Sequence, residues 1–152
     1  MIRIREGTDA DAAGVIRVIG DVFAEYPGCV LDVDREEPQL RAPAAAYDRF
    51  WVVESDGEVS GCIACDSEGD YVELKKMYLD ASVRGRGLAT KLVALVENHA
   101  RALGISRIEC WSDTRFETAH AVYEHLGYER RDGTRELYDL SNTVEFGFVK
   151  SL

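Results

Sequence analysis

The 152-residue sequence predicts a mixed α/β domain: one mixed, mostly antiparallel sheet of six to seven strands flanked by about four helices. Three observations carry that reading. Apolar residues repeat at helical spacing in three stretches, near residues 15–23, 88–103 and 116–126. Short runs rich in β-formers, bounded by turn residues, lie between and around them. The two kinds alternate as β-α-α-β-β-β-α-β-α-β-β, a meander followed by one βαβ crossover. A doubly wound dinucleotide-binding domain would repeat βα units instead.

Each element has its own local signal. Residues 2–5 alternate and read as a short strand. Thr8-Asp9-Ala10-Asp11 has a capping pattern, and Val15, Val18, Ile19, Val22 and Phe23 carry the first helix to about Glu25. Pro27-Gly28 breaks it. A poorer helix is expected between Asp34 and Tyr47, interrupted by Pro38 and Pro43. Residues 50–54 and 59–65 are strands joined by a turn whose strongest part is Asp56-Gly57. A polar turn at 66–70 leads into a strand ending at Leu79. Leu88, Leu92, Leu95, Val96, Ala100 and Leu103 share one helix face, which Gly104 terminates. Residues 105–111 read as a strand. Phe116, Ala119, Val122, Tyr123 and Leu126 form the apolar side of a last helix, ended by Gly127. Tyr128-Glu129-Arg130 starts a strand, and residues 137–140 and 144–149 read as closing strands.

Length favours a single domain over residues 1–152. There is no apolar signal core at the start and no run long enough for a membrane span, so a cytoplasmic protein is the default expectation. The net charge of −10 is unevenly placed. Residues 1–70 carry 16 acidic and 6 basic side chains, and residues 71–152 carry 12 of each. That balance argues against nucleic acid as a partner and suits a cationic one, or simply a solvated acidic surface. Cys62 and Cys65 sit three apart on a strand, hence on opposite faces, and no second pair completes a zinc site. Free buried cysteines and no metal are expected.

The chemistry concentrates in residues 73–93, where a strand gives way to a helix across Arg84-Gly85-Arg86-Gly87. Glycines let the backbone approach a ligand, and the helix that opens after them has unpaired N–H groups and a positive dipole end. Such a corner suits a polyanion, most naturally a pyrophosphate. The phosphate-binding P-loop pattern is absent, and the third glycine of the dinucleotide fingerprint is Thr90 here. A strand-to-helix corner with glycines for turning alone is the plain alternative.

This stretch resembles the acyl-CoA signature of the GNAT superfamily of N-acyltransferases, Arg/Gln-x-x-Gly-x-Gly/Ala, which falls on Arg84, Gly87 and Ala89. Ala119-x-x-x-Tyr123-x-x-x-Gly127-Tyr128 resembles that family's final helix. Glu73 lies eleven residues ahead of Arg84, the offset of the general base in the histone-acetylating branch. The resemblance spans nearly the whole chain. It implies the GNAT fold, acetyl-CoA as co-substrate and an N-acetyltransferase acting on a primary amine of a small molecule or peptide. A homodimer is compatible with it.

The same resemblance assigns roles. The cofactor is expected against Met77, Tyr78 and Leu79, whose backbone would pair with the pantetheine arm. Arg84, Gly85, Arg86, Gly87, Leu88, Ala89 and Thr90 would hold its pyrophosphate. Phe116, Ala119 and Tyr123 would line its wall. Tyr123 is the candidate acid, since a phenol keeps its proton at neutral pH and can give it to a thiolate; a packed helix-face tyrosine is the alternative. Glu73 is the candidate base, with an ion pair to Lys75 or Lys76 as its alternative role. His99, His120 and His125 show no metal spacing and are expected at the surface. Two other functions compete: a CoA-binding sensor or assembly module without turnover, and a nucleotide-binding module using the Gly-x-Gly loop.

Overall fold

The computed structural model describes residues 1–152. Seven strands form one sheet in the order β1-β2-β3-β4-β5-β7-β6. They are β1 (Ile2–Glu6), β2 (Arg49–Ser55), β3 (Glu58–Ser67), β4 (Val72–Leu79), β5 (Arg107–Asp113), β6 (Glu129–Glu136) and β7 (Val144–Ser151). Only β4 and β5 pair in parallel. The crossover between them carries the helix numbered α4 below.

The period-two strands bury both faces of the sheet. Trp51, Val53, Ile63, Cys65, Leu74, Ile108, Cys110 and Phe148 face α4 (Leu88–Ala102) and α5 (Glu117–His125). Phe50, Val52, Cys62 and Ala64 face α1 (Ala12–Ala24). Cys62 and Cys65 therefore belong to different cores, and all four cysteines are free. No helix is long and apolar enough to cross a membrane.

Two expectations fail for backbone reasons. The helix expected over 34–47 is three separate turns: α2 (Val33–Glu36), a 3-10 turn Pro38–Arg41, and α3 (Pro43–Ala46). Pro38 and Pro43 each open a turn and push the preceding residue, Glu37 or Ala42, out of helical geometry. Val33, Leu40 and Tyr47 pin these turns to the second core. The expected closing strand at 137–140 is a loop. Tyr138 and Asn142 take left-handed φ values of 53° and 50°, which interrupt the extended backbone there.

One irregularity positions the site. Cys62 pairs with Tyr78 and Ala64 with Lys75, so two residues of β4 face the single Ile63. This is a β-bulge, and Lys76 within it takes φ 55°. A non-glycine there costs roughly 1–2 kcal/mol. Two bonds hold it: Lys76 Nζ pairs with Glu37 at 2.7 Å, and Cys62 Sγ–H donates to the Lys76 carbonyl at 3.2 Å. The extra residue shifts the alternation. Val72 and Leu74 face α4 before it, whereas Met77 and Leu79 do so after it, and Tyr78 turns to the α1 side.

Gly61 sits opposite this segment. A Cβ on it would lie 2.7 Å from Leu79 Cδ2 and 2.9 Å from the Tyr78 carbonyl oxygen. Gly61→Ala is therefore expected to destabilise the protein by about 1–3 kcal/mol by pushing β4 off β3, read as a lower urea midpoint. A midpoint equal to the parent's would show that β4 has room to yield.

Candidate active site

β4 and β5 pair only through Val72–Ile108, Glu73–Glu109 and Leu74–Cys110. Beyond those pairs both strands continue but part. Asp80 N–H bonds back to Ser60 on β3 at 2.8 Å. By strand alternation the N–H groups of Met77 and Leu79 then point the other way, along the edge that β5 has left.

A groove of about 350 Å³ runs along that edge. It is lined by Met77, Tyr78, Leu79, Arg84, Gly85, Gly87, Leu88, Ala89, Thr90, Phe116 and Ala119, together with Val22, Tyr26, Thr118 and Val122. All the cofactor residues expected from the sequence are thus brought together except Arg86, exposed at the loop tip, and Tyr123. At the mouth of the groove Gly85 and Gly87 take φ 76° and 74°, and a Cβ on either would meet no atom within 4 Å. The left-handed turn at Gly87 starts α4, whose first helical bond runs from Lys91 N–H to the Gly87 carbonyl. The N–H groups of Leu88, Ala89 and Thr90 are left without acceptors in the helix. An open glycine cradle, free amides and a narrow, mostly hydrophobic channel behind them fit a pyrophosphate with a long, thin arm.

Arg84, expected to help hold the pyrophosphate, also makes contacts within the protein. Its guanidinium is bidentate to Glu25 at 2.6 Å on both arms, and its Nε donates to the Leu79 carbonyl at 3.0 Å. The pair holds the Glu25 carboxyl below the usual carboxylate range. Arg84 thus ties the loop to the end of α1, and Arg86 remains as the exposed charge.

On the α1 side of the parted strands lies a larger cavity of about 770 Å³. Glu73 and Tyr123 both line it. Glu73 is half-buried and pairs with Lys75 at 3.1 Å, while Lys75 also pairs with Asp66 at 3.0 Å. Tyr123 is 4 % exposed and packs on Tyr128 and Phe148. Burial pushes its phenol well above the ordinary value, so it stays protonated. The far wall holds Arg135, stacked on Trp111 at 4.1 Å and paired with Glu145 at 2.7 Å. Burial raises the Glu145 carboxyl.

Two loops clasp over this cavity. Ser141 Oγ accepts from Val30 N–H at 2.7 Å and donates to the Val30 carbonyl at 3.1 Å. Leu140 N–H donates to Glu36 at 3.0 Å, and Arg115, bidentate to Asp113, donates to the Ser141 carbonyl at 3.0 Å. The sequence gives no sign of the Val30–Ser141 and Glu36–Leu140 contacts, because those partners lie more than a hundred residues apart. The groove and the cavity share Met77, Tyr78, Phe116 and Ala119, so they meet at the parting of the strands.

The sequence model of the Acetyltransferase (GNAT) family matches residues 18–128. The chain belongs to the GNAT family. It is 38% identical over 139 residues to the uncharacterized N-acetyltransferase YjgM of Escherichia coli K12, covering 85% of this chain and 83% of that one. It is 32% identical over 117 residues to the IAA acetyltransferase of Azospirillum brasilense, covering 76% and 72%. Among solved structures, a GNAT-family acetyltransferase of Staphylococcus aureus Mu50 superposes with a TM-score of 0.85 at 20% identity, over 100% and 99% of the two chains. YncA of Salmonella typhimurium, solved with acetyl-CoA, superposes with a TM-score of 0.74 at 16% identity, over 100% and 94%. The family membership makes this GNAT protein an acetyl-CoA-dependent N-acetyltransferase in enzyme class.

One histidine of this GNAT chain departs from expectation. His120 is 4 % exposed rather than at the surface. It lies one turn from Phe116 and Tyr123 on the buried face of α5, packed on Phe146 and Phe148. Its Nε2 is 2.9 Å from the Asp113 carbonyl and 3.1 Å from Ser112 Oγ. A carbonyl only accepts, so Nε2 carries the hydrogen. Burial lowers the pKa of this imidazole. The unfolded chain then binds the proton more readily, and stability falls as pH drops below the unfolded value near 6.5. His120→Gln keeps an N–H donor and loses the titration. It is expected to show a smaller loss of melting temperature between pH 7 and pH 5 than the parent, and equal losses would deny His120 that role.

Proposed function

We propose that this acetyltransferase moves the acetyl group of acetyl-CoA onto the primary amine of a small cationic molecule. The observation that carries the reading is the meeting of the hydrophobic groove with the charged cavity at Met77, Tyr78, Phe116 and Ala119. Bound acetyl-CoA would supply a thioester open to attack by an amine. The amides after Gly87 hold its phosphates, and the open edge of β4 hydrogen-bonds its arm and the thioester oxygen. Glu73, through a water, takes the proton that the attacking amine loses. As nitrogen bonds to the acetyl carbon and the carbon–sulfur bond breaks, Tyr123 gives its proton to the departing sulfur.

The clasp between Val30 and Ser141 supports a small acceptor over a peptide, since it joins two stretches of the cavity's lining and leaves an extended chain less room. Acidic residues outnumber basic ones seven to four around the cavity, which favours a cation.

Tyr123→Phe is expected to lower kcat on the order of 10²-fold while leaving CoA affinity nearly unchanged. An unaltered kcat would return Tyr123 to a packing role. Electrostatic attraction of the amine should make kcat/KM fall as salt rises from about 20 mM to about 300 mM, with kcat steady. A flat kcat/KM would leave the acidic lining as ordinary solvated surface.

A further inference from the structure

The groove and the cavity meet at a wall of aromatic rings. Phe23 of α1, Tyr78 of β4 and Phe116 at the N-cap of α5 form a triangle with ring centroids 6.0, 6.1 and 6.2 Å apart. Tyr26 leans on Phe116 from the groove side at 4.9 Å. Tyr78 and Phe116 line both spaces, Tyr26 lines only the groove, and Phe23 lines only the cavity. Phe23 thus stands past the junction, in the direction an acyl chain grows as it lengthens.

Each ring is fixed by a different part of the fold. The bulge at Lys76 sets the face of Tyr78. Phe116 N–H donates to the Asp113 carbonyl at 3.0 Å, at the end of β5. Phe23 lies in the last turn of α1, next to the Glu25 that Arg84 grips. Tyr78 meets both phenylalanines edge-on, at 66° and 83°, the arrangement that aromatic quadrupoles favour. Three rings anchored on three elements make a wall that does not yield cheaply.

We propose that this triangle is an acyl-length stop, with Phe23 its deciding ring. It admits an acetyl group at the junction and excludes longer acyl chains. The proposal rests on the reading that acetyl-CoA occupies the groove with its acyl end at the junction. A single methylene in an apolar site discriminates by about 10–200-fold. The unmodified enzyme should therefore prefer acetyl-CoA to propionyl-CoA by at least about 10-fold, and to butyryl-CoA by more. Cutting Phe23 back opens space continuous with the larger cavity and should relax that preference.

The test measures kcat/KM for acetyl-, propionyl- and butyryl-CoA in the parent, Phe23→Leu and Phe23→Ala, with the small cationic primary amine that gives the fastest thiol release from the three donors in a panel of such amines. CoA affinity is followed by calorimetry as a check on the groove. The expected result is a propionyl-to-acetyl ratio at least about 10-fold higher in Phe23→Ala, with a smaller rise in Phe23→Leu and CoA affinity retained. Phe23→Leu preserves apolar packing on α1 and decides the matter if Phe23→Ala does not fold. Acetyl turnover with ratios unchanged by either substitution overturns the stop alone, as does a parent enzyme that uses butyryl-CoA as well as acetyl-CoA. A parent that releases thiol from none of the three donors with any amine of the panel overturns the proposed small cationic amine acceptor and the stop together.

Discussion

β4 and β5 share three residue pairs and then separate, although each runs on for several residues. Peptide groups left unpaired along a strand inside a protein are costly unless something else bonds to them. Here the unpaired edge faces a groove that an extended ligand could complete as an added strand. The separation and the bulge at Lys76 act together. The bulge bends β4 away from the ladder and changes which face each side chain takes, so Met77 packs toward α4 while Tyr78 joins the aromatic wall on the other face. The left-handed backbone at Lys76 is tolerated because Glu37 and Cys62 bond it from two directions. Strain at the centre of the site is thus offset by contacts from the short turns after α1 and from β3.

The charges follow a related logic. Most cations around the larger cavity already have partners: Lys75 with Asp66 and Glu73, Lys76 with Glu37, and Arg135 with Glu145. They fix the shape of the wall more than they offer free charge. Arg84 does the same for the loop, since its bidentate pair with Glu25 links the glycine turn to α1. The α1 segment that leaves Glu25 runs on to Val30, where Ser141 grips it. The glycine loop and the clasp over the cavity are therefore joined through one stretch of chain.

Much of this could be read in the sequence. The helical periods around Val15, Leu92 and Tyr123, with glycines at 104 and 127, marked the three long helices. The glycine pair at 85 and 87 marked the loop, because left-handed backbone before a helix leaves few other residue choices. The bulge could not be read, since Lys76 is no signal for positive φ. Residues 137–140 resemble a strand because Leu137 and Leu140 are apolar, yet they belong to the loop between β6 and β7 that borders the cavity. A lone histidine without metal spacing is expected at the surface, yet the spacing of His120 from Phe116 and Tyr123 puts it on the buried face. Charge pairs such as Arg84 with Glu25 leave no trace in local sequence, because the partners are brought together only by the fold.

The strand order has a consequence for assembly. β7 is the last strand in the chain, yet it lies between β5 and β6 in the sheet. β6 has no other neighbour, so it cannot dock until β7 has formed beside it. The groove residues, from Val22 to Val122, precede that event in the chain. The arch carrying Ser141 hangs between β6 and β7 and gains its place only when that hairpin closes on β5. During synthesis the β4 and α4 walls of the groove can therefore take shape on a partly finished sheet, while α5 and the larger cavity wait for β7.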